Sequence, residues 1–234
     1  MSTSRSWKAP AVLLQDGRVL VIGGVSSSSD LFTPEIYDPS TELWTMTGRM
    51  NKRKSGHTAS LLHNGKVFVA GGFSLESNFA MNTELCDPST GTWTPSGVIN
   101  GGRIYHTASM LPNGKVLLAD GCNFNYCLNT SEVCDLSTAR CTMSGNMTTV
   151  RWYHTTSIYS NGTVFVTGGA NGDNNTELYD PSAGVWTPAD SMSTTRTQHT
   201  ASTLPNGKIL VAGGYKFDYT NNNYTYFNTP DIFT

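Results

Sequence analysis

Hydrophobic residues fall in short runs that recur along the whole chain. Each run ends in a glycine pair or its equivalent, as in "RVLVIGG", "KVFVAGG", "KVLLADG", "TVFVTGG" and "KILVAGG". Successive glycine slots, at 23, 71, 120, 168 and 213, are 48, 49, 48 and 45 residues apart. No segment keeps a 3.6-residue period, so the pattern predicts repeated β-strands and almost no helix.

Each repeat predicts four short strands. Segments such as "HTASLL" and "KVFVA" flank an Asn-Gly or Asp-Gly pair, which favours a type I′ hairpin with positive φ at both central residues. Segments such as "TELYDP" and "VWTP" form a second hairpin, in which Asp starts a type I turn. The predicted repeats cover approximately 5–50, 51–100, 101–148, 149–193 and 194–234, the last without its outer strand. We expect them to form one domain, 1–234.

Four-stranded units at this period are typical of a β-propeller, with one unit per blade. The glycine pair, then Tyr37 or Tyr179, then Trp44 or Trp186 seven residues later, resembles the kelch signature. The resemblance covers nearly all of the chain and implies an all-β, kelch-type β-propeller of four-stranded antiparallel blades. About five blades are fewer than the family usually has, so we expect an incomplete or open ring. We expect the glycines to let the Tyr and Trp rings approach the backbone.

Composition narrows the class of partner. The chain is 38% hydrophobic, carries a net charge of −2 and has no dense Lys/Arg run, which argues against nucleic acid and anionic membranes. No apolar stretch is long enough to insert into a membrane, and the N-terminal residues do not resemble a signal peptide. With nucleic acid and membranes disfavoured, we expect the partner to be a protein or a carbohydrate ligand.

Cysteines and glycosylation acceptors favour an oxidising, extracellular setting. Cys134 and Cys141 take the Tyr and Trp places of the third repeat, so a disulfide can replace that aromatic pair. Cys122 and Cys127 can close the loop after the preceding strand, and Cys86 is expected to be a buried free thiol. A zinc site is the alternative for the four clustered thiols. Asn-x-Ser/Thr acceptors occur at 129, 146, 161, 174 and 223, so we expect a glycoprotein, and a piece of a longer secreted one.

Two positions before the first strand of each repeat are candidates for binding. An arginine precedes that strand in every repeat: Arg5, Arg53, Arg103, Arg151 and Arg196. It either bonds carbonyls of the adjacent blade or grips carboxylate, phosphate or sugar groups of a ligand.

The second position lies directly before a repeated histidine. The histidines at 57, 106, 154 and 199 are expected to serve packing or hydrogen bonding, because they recur. The residue before them varies, as Lys8, Gly56, Tyr105, Tyr153 and Gln198. Tyr105 and Tyr153 are therefore ligand-face candidates, with Arg53, Arg103, Arg151 and Arg196.

The stretches "RIYHTAS" and "RWYHTTS" resemble the Tyr–His stretch of the galactose oxidase family, whose catalytic domain is a kelch-type propeller. The resemblance implies Tyr105, His106, Tyr153 and His154 as copper ligands, and Cys122–Cys127 resembles a disulfide of that family. No cysteine stands before a repeated histidine, although the Tyr–Cys cofactor of the family needs one there. The family's remaining copper histidine belongs to a separate C-terminal domain.

These patterns predict a non-catalytic interaction module without a cofactor, which binds a protein or carbohydrate ligand on the loop face of the propeller outside the cell. Two alternatives stay open. One is a fragment of a copper radical oxidase, and the other is an intracellular kelch adaptor that reads an acidic segment of its partner with the arginines.

Overall fold

The computed structural model describes the chain apart from residues 2, 7, 8, 27, 28, 75–77, 124, 171, 172 and 219. It divides into two compact units. The first unit comprises residues 1–104, 113–116 and 133–142, and the second comprises 105–112, 117–132 and 143–234.

The first two repeats form two four-stranded antiparallel sheets in the first unit, with orders β1-β2-β5-β6 and β12-β11-β8-β7. Their strands are β1 (Ala11–Leu13), β2 (Val19–Val21), β3 (Val25–Ser26), β4 (Ser29–Asp30), β5 (Glu35–Asp38), β6 (Leu43–Met46), β7 (Thr58–Leu61), β8 (Val67–Ala70), β9 (Phe73–Ser74), β10 (Asn78–Phe79), β11 (Asn82–Asp87) and β12 (Thr92–Val98). The short hairpins β3-β4 and β9-β10 lie in the loops between the second and third strands of these sheets.

The third repeat forms the sheet β13-β14-β15-β16, whose residues belong to both units. Its strands are β13 (Thr107–Met110), β14 (Val116–Ala119), β15 (Thr130–Asp135) and β16 (Arg140–Asn146). The fourth and fifth repeats, in the second unit, form the sheets β17-β18-β19-β20 and β21-β22-β25. Their strands are β17 (Thr155–Ile158), β18 (Val164–Thr167), β19 (Thr176–Asp180), β20 (Val185–Ala189), β21 (Thr200–Thr203), β22 (Ile209–Ala212), β23 (Tyr215–Asp218), β24 (Asn223–Tyr226) and β25 (Asp231–Phe233). The hairpin β23-β24 is inserted between β22 and β25.

The described residues contain no helix, and the prediction of an all-β β-propeller with about five antiparallel blades is confirmed. Four of these sheets have four strands and the fifth has three. The expectations of one domain and of an incomplete or open ring stay predictions.

The turn between the first and second strands differs from the expected type I′ turn. Gly65 has φ 79°, but its neighbour Asn64 is not among the residues with positive φ. The Gly65 N–H donates to the Leu62 carbonyl at 3.0 Å, while the Leu62 N–H donates to the Lys66 carbonyl at 2.8 Å. This is a three-residue loop that ends in a left-handed glycine, because a type I turn needs only that one positive φ to close the hairpin.

The second hairpin turn is one residue longer than a simple type I turn. The Asp180 carboxylate accepts the Ser182 N–H at 2.8 Å, as predicted for an Asp at the start of the turn. The Gly184 N–H then donates to the Asp180 carbonyl at 2.8 Å, four residues back. Gly184 has φ 70°, the left-handed conformation that glycine adopts at least cost.

The glycine pairs are needed for a reason other than the expected aromatic packing. A Cβ at Gly168, which has φ 60°, would lie 2.6 Å from Cε1 of His199 and would also collide with the Arg196 carbonyl. Both of those residues belong to the next repeat, so the glycine allows two blades of the second unit to approach closely. The aromatic pair lies elsewhere in the blade, with the Tyr179 and Trp186 rings 5.0 Å apart across β19 and β20.

Apolar side chains from neighbouring sheets form the core within each unit. In the first unit Leu20 and Ile22 of the first blade pack with Val67 and Val69 of the second. In the second unit Phe165 packs with residues of the fifth sheet such as Ile209 and Val211. All of these side chains are buried, so the blades within a unit are held together mainly by hydrophobic contact.

Candidate functional site

The side chain of Arg151 binds groups of its own blade. Its guanidinium donates to the carbonyl of Gly168 at 3.0 Å, to the carbonyl of Asn175 at 2.8 Å and to the carboxylate of Glu177 at 3.0 Å. The other carboxylate oxygen of Glu177 accepts the Thr148 N–H at 2.9 Å. This network fastens the loop before the blade to its second and third strands.

The fifth blade repeats the network with an aspartate. Arg196 donates to the carbonyls of Gly213 and Thr229 at 3.1 and 3.0 Å, and it pairs with Asp231 at 3.0 Å. Asp231 in turn accepts the Ser193 N–H at 2.9 Å. The side chains of Arg103, Arg151 and Arg196 are almost fully buried. Their burial favours the structural interpretation of these three arginines over contact with a ligand.

Contrary to the prediction from the sequence, Arg53 does not occupy the arginine position of the second blade. Lys54 does: its ammonium donates to the Asn82 carbonyl at 2.7 Å and lies 3.4 Å from the carboxylate of Glu84. Glu84 accepts the Asn51 N–H at 2.6 Å, as Glu177 accepts that of Thr148. Arg53 comes one residue earlier and is partly exposed, so of the four arginines expected to contact a ligand it is the one left at the surface.

The repeated histidines form hydrogen bonds between blades of the second unit. Nε2 of His154 lies 3.0 Å from Oγ1 of Thr107 in the preceding blade. Nε2 of His199 lies 2.8 Å from Oγ1 of Thr155 and 3.0 Å from Oγ1 of Thr167. Burial and the nearby Arg196 lower the pKa of His199 to about 4, so the imidazole is neutral near pH 7. These contacts favour the predicted structural role.

The variable position before the histidine has one backbone conformation in every blade where it is described. Gly56, Tyr105, Tyr153 and Gln198 have φ of 63°, 59°, 57° and 52°, all left-handed, while Lys8 lies outside the described residues. A side chain in this conformation costs roughly 1–2 kcal/mol relative to glycine. Gly56 was the sequence signal for this conformation, since glycine is the residue that adopts it most readily.

Tyr105 and Tyr153 lie side by side in the second unit. Their ring centroids are 4.3 Å apart with an interplanar angle of 35°. Burial, a hydroxyl hydrogen bond with Tyr105 and the charge of Tyr105 raise the pKa of Tyr153 above its usual value. The Gln198 N–H donates to the Tyr153 carbonyl at 3.2 Å. The three variable positions therefore follow one another along the edge of consecutive blades.

An aromatic groove opens next to Tyr153. The groove has a volume of about 290 Å³, and its aromatic and charged lining residues are Trp152, Tyr153, Tyr215, Lys216, Phe217 and Tyr224. The first two residues come from the loop before the fourth blade, and the others come from the hairpin β23-β24. The repeat pattern does not predict this hairpin. The sequence of the hairpin region, "YKFDYTNNNYTYF", is rich in aromatic residues and indicates an aromatic surface.

The rings of the hairpin β23-β24 support one another. The Tyr224 ring lies 4.8 Å from that of Phe217 and 5.2 Å from that of Tyr215, and it remains half exposed. Exposed aromatic clusters of this kind stack with sugar rings and pack with peptide side chains, because they bury large areas with little loss of side-chain freedom.

Two observations bear on the copper ligands that the resemblance of the Tyr–His stretches implies. Nε2 of His154 is engaged by Thr107, and the raised pKa of Tyr153 opposes the phenolate form that binds a metal. Across the described part of the chain, no group of three or more His, Cys, Asp and Glu side chains converges in a way that could hold a metal ion.

The four clustered cysteines form two disulfides, Cys122–Cys127 and Cys134–Cys141. The second bond joins β15 and β16 where other blades have their Tyr–Trp pair. Cys86 is a buried free thiol whose pKa burial raises to about 12. Both disulfides are compatible with an oxidising compartment.

Comparison with known proteins agrees with this architecture. The family model described as the kelch motif matches residues 7–51, which is the first repeat. No curated protein matches the chain. No helix within the described ranges is long and apolar enough to cross a membrane. The first repeat thus matches the kelch motif, and the sheets that follow it repeat its antiparallel strand arrangement.

Proposed function

We propose that the chain is a non-catalytic binding module whose ligand, a protein segment or a glycan, occupies the aromatic groove beside Tyr153. The observation that carries the proposal is the tyrosine at a left-handed backbone position, with its ring against Tyr105 and the groove next to it. Glycine suits that position better, so a tyrosine at this position costs some stability. Strained side chains of this kind are concentrated at functional sites.

The chemistry of the groove supports binding by stacking. Five of its lining residues are aromatic, and Lys216 adds one exposed cation for a carboxylate or hydroxyl of the ligand. A concave, mainly apolar lining with few polar groups is typical of ligand sites. Two disulfides and the five glycosylation acceptors support an extracellular setting for the module.

The test is a binding screen on an array of defined neutral oligosaccharides and on a displayed library of random peptides. The tightest binder is then measured against Tyr153→Gly and Tyr224→Ala. We expect each variant to weaken binding at least about tenfold, since central aromatic residues dominate such interfaces. Glycine suits φ 57°, so Tyr153→Gly removes the ring without adding backbone strain.

Tyr126→Ala is the matched control. Tyr126 is 62% exposed and belongs to the same unit, but it does not line the groove. Its loss should leave binding within about twofold of the wild type. Finding no binder in either screen, or binders that tolerate both groove variants, would overturn the proposal.

The two alternatives are separated by independent measurements. With Tyr153 held protonated and His154 engaged by Thr107, we expect no phenolate-to-copper absorption when Cu²⁺ is added; such a band would favour the oxidase. Four free thiols in place of the two disulfides, together with acceptor sites that carry no glycan, would favour an intracellular adaptor.

A further inference from the structure

The fifth sheet has an open edge at β25. Among the described strands, β25 has β22 as its only neighbour, whereas the third strand of each other blade also pairs with a fourth strand. β25 pairs with β22 in the register in which β19 pairs with β18, so Phe233 corresponds to Tyr179. In the fourth blade Tyr179 lies opposite Trp186 of β20. The fifth blade therefore has a place for a fourth strand with a large side chain opposite Phe233.

A cavity of about 420 Å³ lies at this edge, between the fourth blade and residues 231–234. The Phe233 ring lies 4.8 Å from that of Phe165, yet Phe233 is partly exposed, whereas Tyr179 at the same place in the fourth blade is only 1% exposed. Ile232 is 57% exposed. The apolar surface of β25 is thus open where the other blades have their outer strand.

The backbone of β25 also offers hydrogen bonds to an added strand. The Leu204 N–H donates to the Lys208 carbonyl at 2.7 Å, so these residues are a hydrogen-bonded pair of the hairpin β21-β22. Hydrogen-bonded and non-hydrogen-bonded pairs alternate along antiparallel strands, so Leu210 bonds to β21, and its pair with Ile232 is a non-hydrogen-bonded one. The N–H and the carbonyl of Ile232 therefore point away from β22, towards the open edge.

The fourth blade shows how this edge can bind a tryptophan. The indole N–H of Trp186 donates to Oγ of Ser131 in the third blade at 3.1 Å. Ser131 in turn donates to the Gly145 carbonyl at 2.6 Å. Thr176 donates to the Asp190 carbonyl in the same way, also at 2.6 Å. Thr176 thus corresponds to Ser131, and its buried hydroxyl oxygen is placed to accept the indole N–H of a tryptophan beside β25.

Asp190 favours a separate strand over one that follows β25 through the usual hairpin turn. It stands four residues after Trp186, where the first three blades have glycine: Gly48, Gly97 and Gly145. A Cβ on Gly145 would lie 2.6 Å from the carbonyl oxygen of Gly184, in the turn before the next outer strand, and the other two glycines meet such turns as closely. Asp190 carries the Cβ that these glycines lack, so the fourth blade leaves less room for such a turn.

We propose that β25 is a docking edge for an extended segment of a partner protein, which adds to the fifth blade as its fourth strand. The segment places a tryptophan opposite Phe233 and a lysine or arginine two residues earlier, where Gly184 stands in the fourth blade. That cation meets the carboxylate of Asp190, which is exposed. Main-chain hydrogen bonds supply the affinity, and the tryptophan cavity supplies the specificity. Within the described residues, this edge and the aromatic groove share no lining residue, so the proposal goes beyond the function proposed above.

The test uses the full chain and a labelled peptide with the sequence of residues 182–191, "SAGVWTPADS", that carries Gly184→Lys. Fluorescence anisotropy measures its affinity. Trp186→Ala in the peptide should weaken binding at least about tenfold, because tryptophan anchors dominate such interfaces. In the chain, Ile232→Pro removes the outward N–H and should also weaken binding at least about tenfold. Ile232→Thr keeps that N–H and should change the affinity less than about threefold.

A second comparison does not depend on a substitution in β25. Asp190→Asn in the chain should weaken the lysine peptide about threefold and leave the peptide with glycine at that place unchanged, because only the lysine meets the carboxylate. Glu42→Gln is the matched control, since Glu42 is exposed and does not line the cavity. It should leave the affinity for both peptides unchanged.

Three results would overturn the proposal. One is absence of peptide binding, and another is equal binding of the tryptophan and alanine peptides. The third is a dimer of the chain alone, seen by sedimentation, that Ile232→Pro dissociates, since this would assign the edge to a second copy. Tyr153→Gly should leave peptide binding intact, so this proposal and the aromatic groove can fail separately.

Discussion

At the scale of single residues, His57 and His199 occupy the same place in the repeat but have different surroundings. His199 is bonded to Thr155 and Thr167. In the first repeat the corresponding positions hold Pro10 and Ile22, which have no side-chain hydroxyl. Both ring nitrogens of His57 are accordingly buried without a hydrogen-bond partner. Recurrence in the sequence predicted a structural histidine, but it could not show that one copy lacks its partners.

His57→Leu and His199→Leu should therefore differ in stability. Replacing His57 removes unsatisfied polar atoms and should be neutral or stabilising, whereas His199→Leu should cost about 1–3 kcal/mol of unfolding free energy, because buried hydroxyls lose a partner. Urea unfolding of both variants measures this difference. An equal loss from the two substitutions would contradict the account.

The residue that anchors the second blade is a lysine and not the predicted arginine. Counting back to an arginine in every repeat selected Arg53, yet Lys54 is three residues before His57, as Arg151 is before His154. The position is defined by its distance of three residues before the histidine and not by the residue type, so it can hold a lysine as well as an arginine. The left-handed position before the histidine was visible only through Gly56, because tyrosine and glutamine carry no sign of a positive φ.

At the scale of elements, a buried cation and carboxylate join the loop before the fourth blade to its third strand. Glu177→Gln should destabilise the chain by about 3–5 kcal/mol, because it leaves the buried Arg151 without its counter-charge. Asp190→Asn, at an exposed position of the same blade, should cost less than about 0.5 kcal/mol. Thermal unfolding compares them, and matching midpoints would contradict a structural role for the pair.

The third blade offers a second element-scale test. Replacing the disulfide by Cys134→Ala with Cys141→Ala should cost roughly 2–3 kcal/mol of unfolding free energy, because the closed loop is short. If the disulfide takes the place of an aromatic pair, Cys134→Tyr with Cys141→Trp should recover much of that loss. Unfolding by urea under oxidising conditions measures both. If the Tyr–Trp variant is no more stable than the double alanine variant, the disulfide does not take the place of an aromatic pair.

Strand order and hairpin positions were predictable, because the period of two and the glycine turns are local signals. The hairpin β23-β24 was not, because it is an insertion outside the repeat. The first-turn type was also wrong: an Asn-Gly pair suits several turns, and the glycine alone carries the positive φ in this structure.

At the scale of the whole molecule, buried neutral histidines make stability depend on pH. Burial lowers the pKa of His57 to about 3 and that of His199 to about 4. In the unfolded chain, histidine side chains become protonated near pH 6.5. The contribution of the buried neutral histidines to stability is therefore fully present above that pH and is lost as the pH falls towards 4 and 3. The free energy of unfolding decreases by up to about 1.4 kcal/mol per pH unit for each histidine. Urea midpoints between pH 7 and 4 should fall, and less steeply in His57→Leu. An unchanged slope in that variant would contradict the burial of His57.

The central claim is that the aromatic groove beside Tyr153 is the binding surface. The most direct measurement is hydrogen–deuterium exchange of the chain with and without the tightest binder from the oligosaccharide and peptide screens. The account predicts slower exchange in residues 152–154, 195–198, 215–217 and 223–226, which surround the groove. Protection confined to other parts of the chain, with these four segments unchanged, would contradict it.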